Sequence, residues 1–145
     1  MLERDYIMRL IQEFMAALER MLEKKEVTDR REEIRTLYDK YVGPYALYYN
    51  ATIDEVMQAI QSYDVGQRIQ RLEMLAELYY VEADMVSKPD RDFLLEKAFA
   101  LFDFIDRNGK TYSFDRLQKM DDIRKKLTNS VETRPVTSQQ TDVDK

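Results

Sequence analysis

Apolar side chains return along this chain in steps of three and four, the spacing that lines one face of a helix. In residues 3–25 the line runs through Ile7, Ile11, Phe14, Leu18 and Met21. Leu10, Met15 and Leu22 widen it, while Arg9, Gln12, Glu13, Arg20 and Glu23 hold the opposite face. Glu3 and Asp5 open this segment and Lys24 and Lys25 close it, the charge order that the helix dipole favours. A second helix is predicted from Asp29, which with Glu32 makes a capping-box pattern, and it carries Ile34, Leu37, Tyr38, Tyr41 and Val42. Gly43-Pro44 interrupts it, yet Tyr38, Tyr41, Tyr45 and Tyr48 keep the same step, so Pro44 should kink or restart the helix in phase.

Thr52 and Glu55 form another capping box ahead of a short helix with Val56, Met57 and Ile60. Asp64 should cap the next helix, whose stripe is Val65, Ile69, Leu72, Ala76, Tyr79, Ala83 and Val86. After a break at residues 87–90, the segment to about 107 is apolar around most of its circumference, which predicts a central helix. Asn108-Gly109 should end it in the usual glycine-terminated manner, and Ser113 should start a last helix with Phe114, Leu117, Met120, Ile123 and Leu127.

The pattern therefore predicts an all-α domain over residues 1–127, with about six helices packed as antiparallel pairs. Helical hairpins of the tetratricopeptide type are open as a local packing. A regular array is not expected, because the long helices starting near 66 and 114 do not fit a period of about 34 residues. Residues 128–145 hold no aromatic side chain and no large aliphatic beyond three valines, so they are expected to form a disordered C-terminal tail.

Composition changes this picture mainly by subtraction. The chain has no cysteine and no histidine, which leaves neither a thiolate nucleophile nor the commonest general base and metal ligand. Its net charge is −5 and its basic pairs have acidic neighbours, so a nucleic-acid footprint is not expected. No apolar run reaches the ~20 residues that span a bilayer, and the acidic start lacks a signal peptide's basic region. A cytoplasmic protein without membrane contact is the expectation.

The opening string Asp5-Tyr6-Ile7-Met8-Arg9-Leu10-Ile11 resembles the start of a family of uncharacterised bacterial all-helical proteins, some of whose members are tetratricopeptide-like. The resemblance is confined to this string. It implies a helical fold and a bacterial source, and no activity.

Two stretches invite a chemical reading. Residues 106–115 place Asp106, Asn108 and Asp115 at three ligand positions of a calcium loop around Gly109, but Phe104 stands where the first ligand belongs. Helix ends at Asn108-Gly109 and Ser113 explain the same residues without an ion. The other stretch, residues 38–49, holds Tyr38, Tyr41, Tyr45, Tyr48 and Tyr49, half of the ten tyrosines. Packing between helices is the first reading, since the ring fills a seam while the hydroxyl reaches a polar group. A partner surface is the second.

No catalytic residue, metal ligand or cofactor-binding residue is assigned, and no cofactor is expected. The leading expectation is a non-enzymatic helical protein–protein interaction module whose partner is a protein of unknown identity. Its candidate contact residues are Tyr38, Tyr41, Tyr45, Tyr48, Tyr49, Met8 and Met15, the methionines because their flexible side chains suit adaptable contacts. A homodimer through the first helix is the variant of that reading. The alternative is a small-molecule or ion-binding regulatory protein that uses a pocket between helices.

Overall fold

The computed structural model describes residues 2–24 and 26–139, and the side chains of residues 4–24 and 26–129. Seven α-helices and two 3-10 turns make up the regular structure, and no strand occurs among the described residues. Helix α1 spans Leu2–Leu22, α2 Val27–Tyr41, α3 Tyr45–Asn50 and α4 Ile53–Ala59, with a 3-10 turn at Ile60–Ser62. Helix α5 spans Val65–Glu82 and continues into a 3-10 turn at Ala83–Met85; α6 spans Asp90–Asn108 and α7 Phe114–Gln139.

Short links make sequence neighbours pack as antiparallel hairpins: α1 on α2, α5 on α6, and α6 on α7. Helix α5 joins these pairs, because it also packs against α1 and α2. The stripe expected on α1 is the one buried, with Ile7, Phe14, Leu18 and Met21 inaccessible or nearly so and Ile11 partly covered. Fully burying such a side chain contributes about 1.5–3 kcal/mol.

The centre of the fold differs from the expectation. Helix α6 buries Leu94, Leu95, Ala98, Leu101, Phe102 and Ile105, but Phe93 lies 38% exposed and Phe99 and Phe104 only partly covered. Helix α5 is the hub instead, with buried side chains on nearly all sides from Arg71 to Glu82. Sequence misplaces the centre because Arg71, Glu77 and Glu82 look like solvent-facing charges, whereas all three are buried and partnered. Val65, the first residue of the expected α5 stripe, is 76% exposed.

Helix ends follow local chemistry in part: Asp64 stands at the N-cap of α5 as expected but its side chain makes no capping hydrogen bond, and two ends differ outright. Thr52 and Glu55 form the full capping box, Glu55 N donating to Thr52 Oγ1 at 3.2 Å and Thr52 N to Glu55 Oε1 at 2.8 Å. The Ser113 hydroxyl accepts from Arg116 N at 3.1 Å at the head of α7. Pro44 restarts the helix rather than kinking it, standing at the N-cap of α3. The first exception is α2, which begins one turn before the expected Asp29 cap, at Val27, so that Asp29 falls inside the first turn. The second is Gly109: it is extended (φ −80°, ψ 166°), not left-handed, and donates its N–H to Ile105 O at 2.7 Å.

Leu127 is the last described side chain that packs on the core. The α7 backbone continues to Gln139, and residues 140–145 of the expected tail lie outside the described residues. No described helix is long and apolar enough to cross a membrane.

Candidate functional site

The tyrosine segment is built into the interior by three polar side chains arriving from α5 and α6. Glu82, at the end of α5, is fully buried. Its carboxylate accepts from the Tyr38 hydroxyl at 2.8 Å and from the Tyr45 hydroxyl at 2.5 Å, and Arg31 stands 3.7 Å away. Burial pushes the Glu82 carboxyl up, while the two tyrosines and Arg31 act against that shift. The same burial pushes the Tyr38 hydroxyl well above its ordinary range, with the charge of Glu82 adding to it. Tyr38 and Tyr45 meet edge to face with ring centroids 4.8 Å apart, and Tyr45 packs against Tyr49 at 5.2 Å.

Lys97 on α6 is 2% exposed and donates to three carbonyls, those of Tyr48 (3.1 Å), Tyr49 (2.9 Å) and Ala51 (2.8 Å). These groups lie at the C-terminal end of α3, where unpaired carbonyls and the negative end of the helix dipole favour a cation. Rings of Tyr79 and Phe93 flank the ammonium, each with its centroid 4.3 Å away. Burial lowers the Lys97 pKa to about 8, with Glu82 and Glu55 opposing. All three ammonium protons are engaged, so Lys97 is a clamp for α3 and not a free nucleophile. Arg71 serves the end of α2 in the same way, donating to Tyr41 O at 2.6 Å beneath the ring of Tyr63.

Tyr38, Tyr41 and Tyr48 are buried to within a few per cent, which corrects their placement as contact residues: they hold helices together and offer a partner no surface. Tyr45 and Tyr49 keep partial exposure, Tyr49 donating to Asp90 at 2.9 Å.

Around the α6–α7 junction the acids of the two helix ends face the protein's own cations. Asp106 Oδ1 accepts from Arg116 at 2.9 Å, and Asp115 from Lys119 at 2.8 Å. Lys119 also holds Glu77 at 2.7 and 2.9 Å. No group of three or more potential metal-ligating side chains occurs among the described residues.

Met8 and Met15 lie 46% and 38% exposed on α1. Met15, with Ile11 and Phe14, forms one wall of a cleft whose floor is Met74 and Phe102 and whose other wall is Ser113, Asp115 and Arg116. The cavity measures about 190 Å3. Glu73 opens into it without a hydrogen bond or ion pair among the described residues. Burial pushes its carboxyl up, the Arg116 charge acts against this and Glu77 adds to it. Tyr112 and Phe114, 75% and 63% exposed, line a separate, more open depression of about 380 Å3 with Leu117. A third groove of about 600 Å3 lies between α3 and α4, lined by Ala46, Leu47, Asn50, Ala51, Glu55, Gln58 and Ala59.

These features define the class as an all-α multihelical domain with a buried polar network that fastens its helices and with exposed apolar side chains that include Met8 and Met15 on α1 and Tyr112 and Phe114 around the start of α7. No family model, curated protein or solved structure matches the chain. Sequence reasoning reached Met15 but missed Glu73, Tyr112 and Phe114. Tyr112 and Phe114 were legible as aromatics flanking a loop serine; Glu73 carried no signal, being one acidic residue among many.

Proposed function

We propose that this chain is a non-enzymatic helical interaction module that receives a protein partner on the surface formed by α1 and the start of α7. One observation carries the reading: Met8 and Met15 on α1 and Tyr112 and Phe114 around the start of α7 are all exposed, Met15 lining the cleft and the two aromatics a separate depression. Methionine adapts to varied partner surfaces and tyrosine anchors them, so this composition suits recognition. The polar network around Glu82 and Lys97 supports the reading from the other side, since its donors and acceptors are spent on fastening α3 to α5 and α6. Hairpins of the tetratricopeptide type fit the same role, with α1–α2 and α5–α6 as the paired units.

The test is affinity capture from the native host with the wild-type chain and with Met8→Lys combined with Met15→Lys. A partner retained equally by both places the contact elsewhere. Light scattering on the purified chain distinguishes a hetero-partner from a homodimer through α1: a dimer mass that the two substitutions reduce to a monomer selects the homodimer.

A second reading, a small-molecule or ion-binding regulator, rests on the α3–α4 groove, whose volume of about 600 Å3 matches ordinary ligand sites. Calorimetric titration with calcium tests its ionic form, and binding abolished by Asp106→Ala supports it. The Arg116 contact to Asp106 weighs against that outcome, because an ion would have to displace it.

A further inference from the structure

We infer that the cleft between α1 and α7 receives one long basic side chain, a lysine or arginine of the partner segment, with its charge against Glu73. This deepens the interaction-module reading and rests on it. The size of the cavity sets the occupant first. About 190 Å3 is the space of roughly six waters, enough for one extended side chain and too little for a helix.

The walls set its chemistry. Met15 and the partly buried Ile11 offer an apolar surface over Met74 and Phe102, each 1% exposed, and a methylene stem can cover that surface while its charged head reaches a polar group. The charges of the cleft point the same way. Glu77 and Asp115 share the single charge of Lys119, and the guanidinium of Arg116 is engaged by Asp106 and by the carbonyl of Thr111 at 2.8 Å. Arg116 is 3% exposed and held in place by these contacts, so it acts on Glu73 only through space. Glu73 is left as the one carboxylate lining the cleft without a contact partner among the described residues.

An unpaired, half-covered carboxylate is unfavourable in the free chain, and a cation entering from outside removes that cost. An acidic side chain would meet Glu73 with like charge, and a purely apolar one would bury it without a partner.

The experiment uses the full chain with 13C-methyl-labelled methionine and three probes of equal length: hexylammonium, hexanol and hexanoate. Met15 and Met74 line the cleft and report occupancy, while Met57 on α4 serves as the remote control. Hexylammonium is expected to shift Met15 and Met74 with about two- to fivefold tighter apparent binding than hexanol, the range of a partly exposed ion pair. Hexanoate is expected to bind least. In Glu73→Gln the preference for the ammonium should vanish while the methyl spectrum stays dispersed, which shows that the variant folds. Equal binding of ammonium and alcohol by the wild type, a preference that survives Glu73→Gln, or no shift at Met15 and Met74 with any probe each overturns the inference. Selection from a random peptide library on the full chain separates this from the broader reading. Peptides enriched in a basic residue and lost with Glu73→Gln support the inference; bound peptides without a basic residue overturn it and leave the interaction module standing. Failure to select any peptide, with the ammonium preference intact, overturns the protein-partner reading on which it rests.

Discussion

Replacing Tyr38 with phenylalanine removes one hydroxyl from a fully buried polar contact. Tyr38 and Glu82 are both fully buried, and the hydroxyl donates to the carboxylate at 2.8 Å. A hydrogen bond to a charged acceptor contributes about 1.5–3 kcal/mol, and one between neutral groups about 0.5–1.5. The cost of Tyr38→Phe therefore depends on whether Glu82 is ionised. Burial raises the folded-state pKa of Glu82 above its unfolded value near 4.5. A raised folded pKa means that the protonated form is favoured in the native state, a stabilisation complete below the unfolded value and lost as pH rises through the folded one. At a high pH where Glu82 is charged, Tyr38→Phe should cost about 1.5–3 kcal/mol; at a low pH where Glu82 is protonated in the folded state, the cost should fall to about 0.5–1.5. Arg31 is too distant at 3.7 Å to replace the lost donor, although Tyr45 keeps its bond. Urea denaturation followed by circular dichroism at the two pH values measures both numbers. A loss below about 0.5 kcal/mol at both, the size of an ordinary surface change, would show that Glu82 does not depend on Tyr38. A loss of equal size at the two pH values would show that Glu82 does not change its charge between them.

Three further outcomes follow from the same network and its neighbours. Lys97→Ala leaves the carbonyls of Tyr49 and Ala51 without their donor, while Tyr48 O keeps the Tyr79 hydroxyl at 2.6 Å; the expected cost is about 2–4 kcal/mol in thermal unfolding, with hydrogen exchange accelerating first in α3, and a change confined to α6 would contradict the clamp. Gly109→Ala places a Cβ 2.7 Å from the Ile105 carbonyl oxygen, which must shift, so a loss of about 1–3 kcal/mol is expected, and unchanged stability would mean that this helix end relaxes freely. Lys97, lowered to about 8 from 10.5, penalises the folded state below pH 8 and less as pH rises, so stability should climb from pH 8 toward 10. Tyr38, Tyr45, Tyr79 and Tyr49, the last raised to about 12, then reverse the trend above pH 10, because the folded state holds protons that the unfolded chain releases. Stability falling steadily from pH 8 would remove Lys97 from the account, and Lys97→Ala should flatten the rise.

The sequence by itself determined the elements. Steps of three and four placed α1, α2, α5 and α7, an all-round apolar run placed α6, and the Thr52–Glu55 box and Ser113 cap are local devices that need no tertiary partner. The continued tyrosine step across Gly43-Pro44 was legible for the same reason, since helix phase is a property of consecutive residues. Tertiary structure alone decided what the charged residues do. Glu82, Lys97 and Arg71 acquire their roles only when α3, α5 and α6 meet, because their hydrogen-bond partners in residues 38–51 lie 30 to 49 residues away in sequence and include backbone carbonyls that no side-chain pattern encodes. The start of α2 at Val27 and the extended Gly109 belong to the same group: both ends choose backbone bonds, from Arg30 N to Glu26 O and from Gly109 N to Ile105 O, over the side-chain or left-handed caps that the residues suggested. The cleft is the furthest from sequence. Met15 and Glu73 become neighbours only because α1 packs on α5, and Glu73 is left unpaired because Lys119 turns to Glu77 and Asp115, a choice among nearby carboxylates that packing geometry makes.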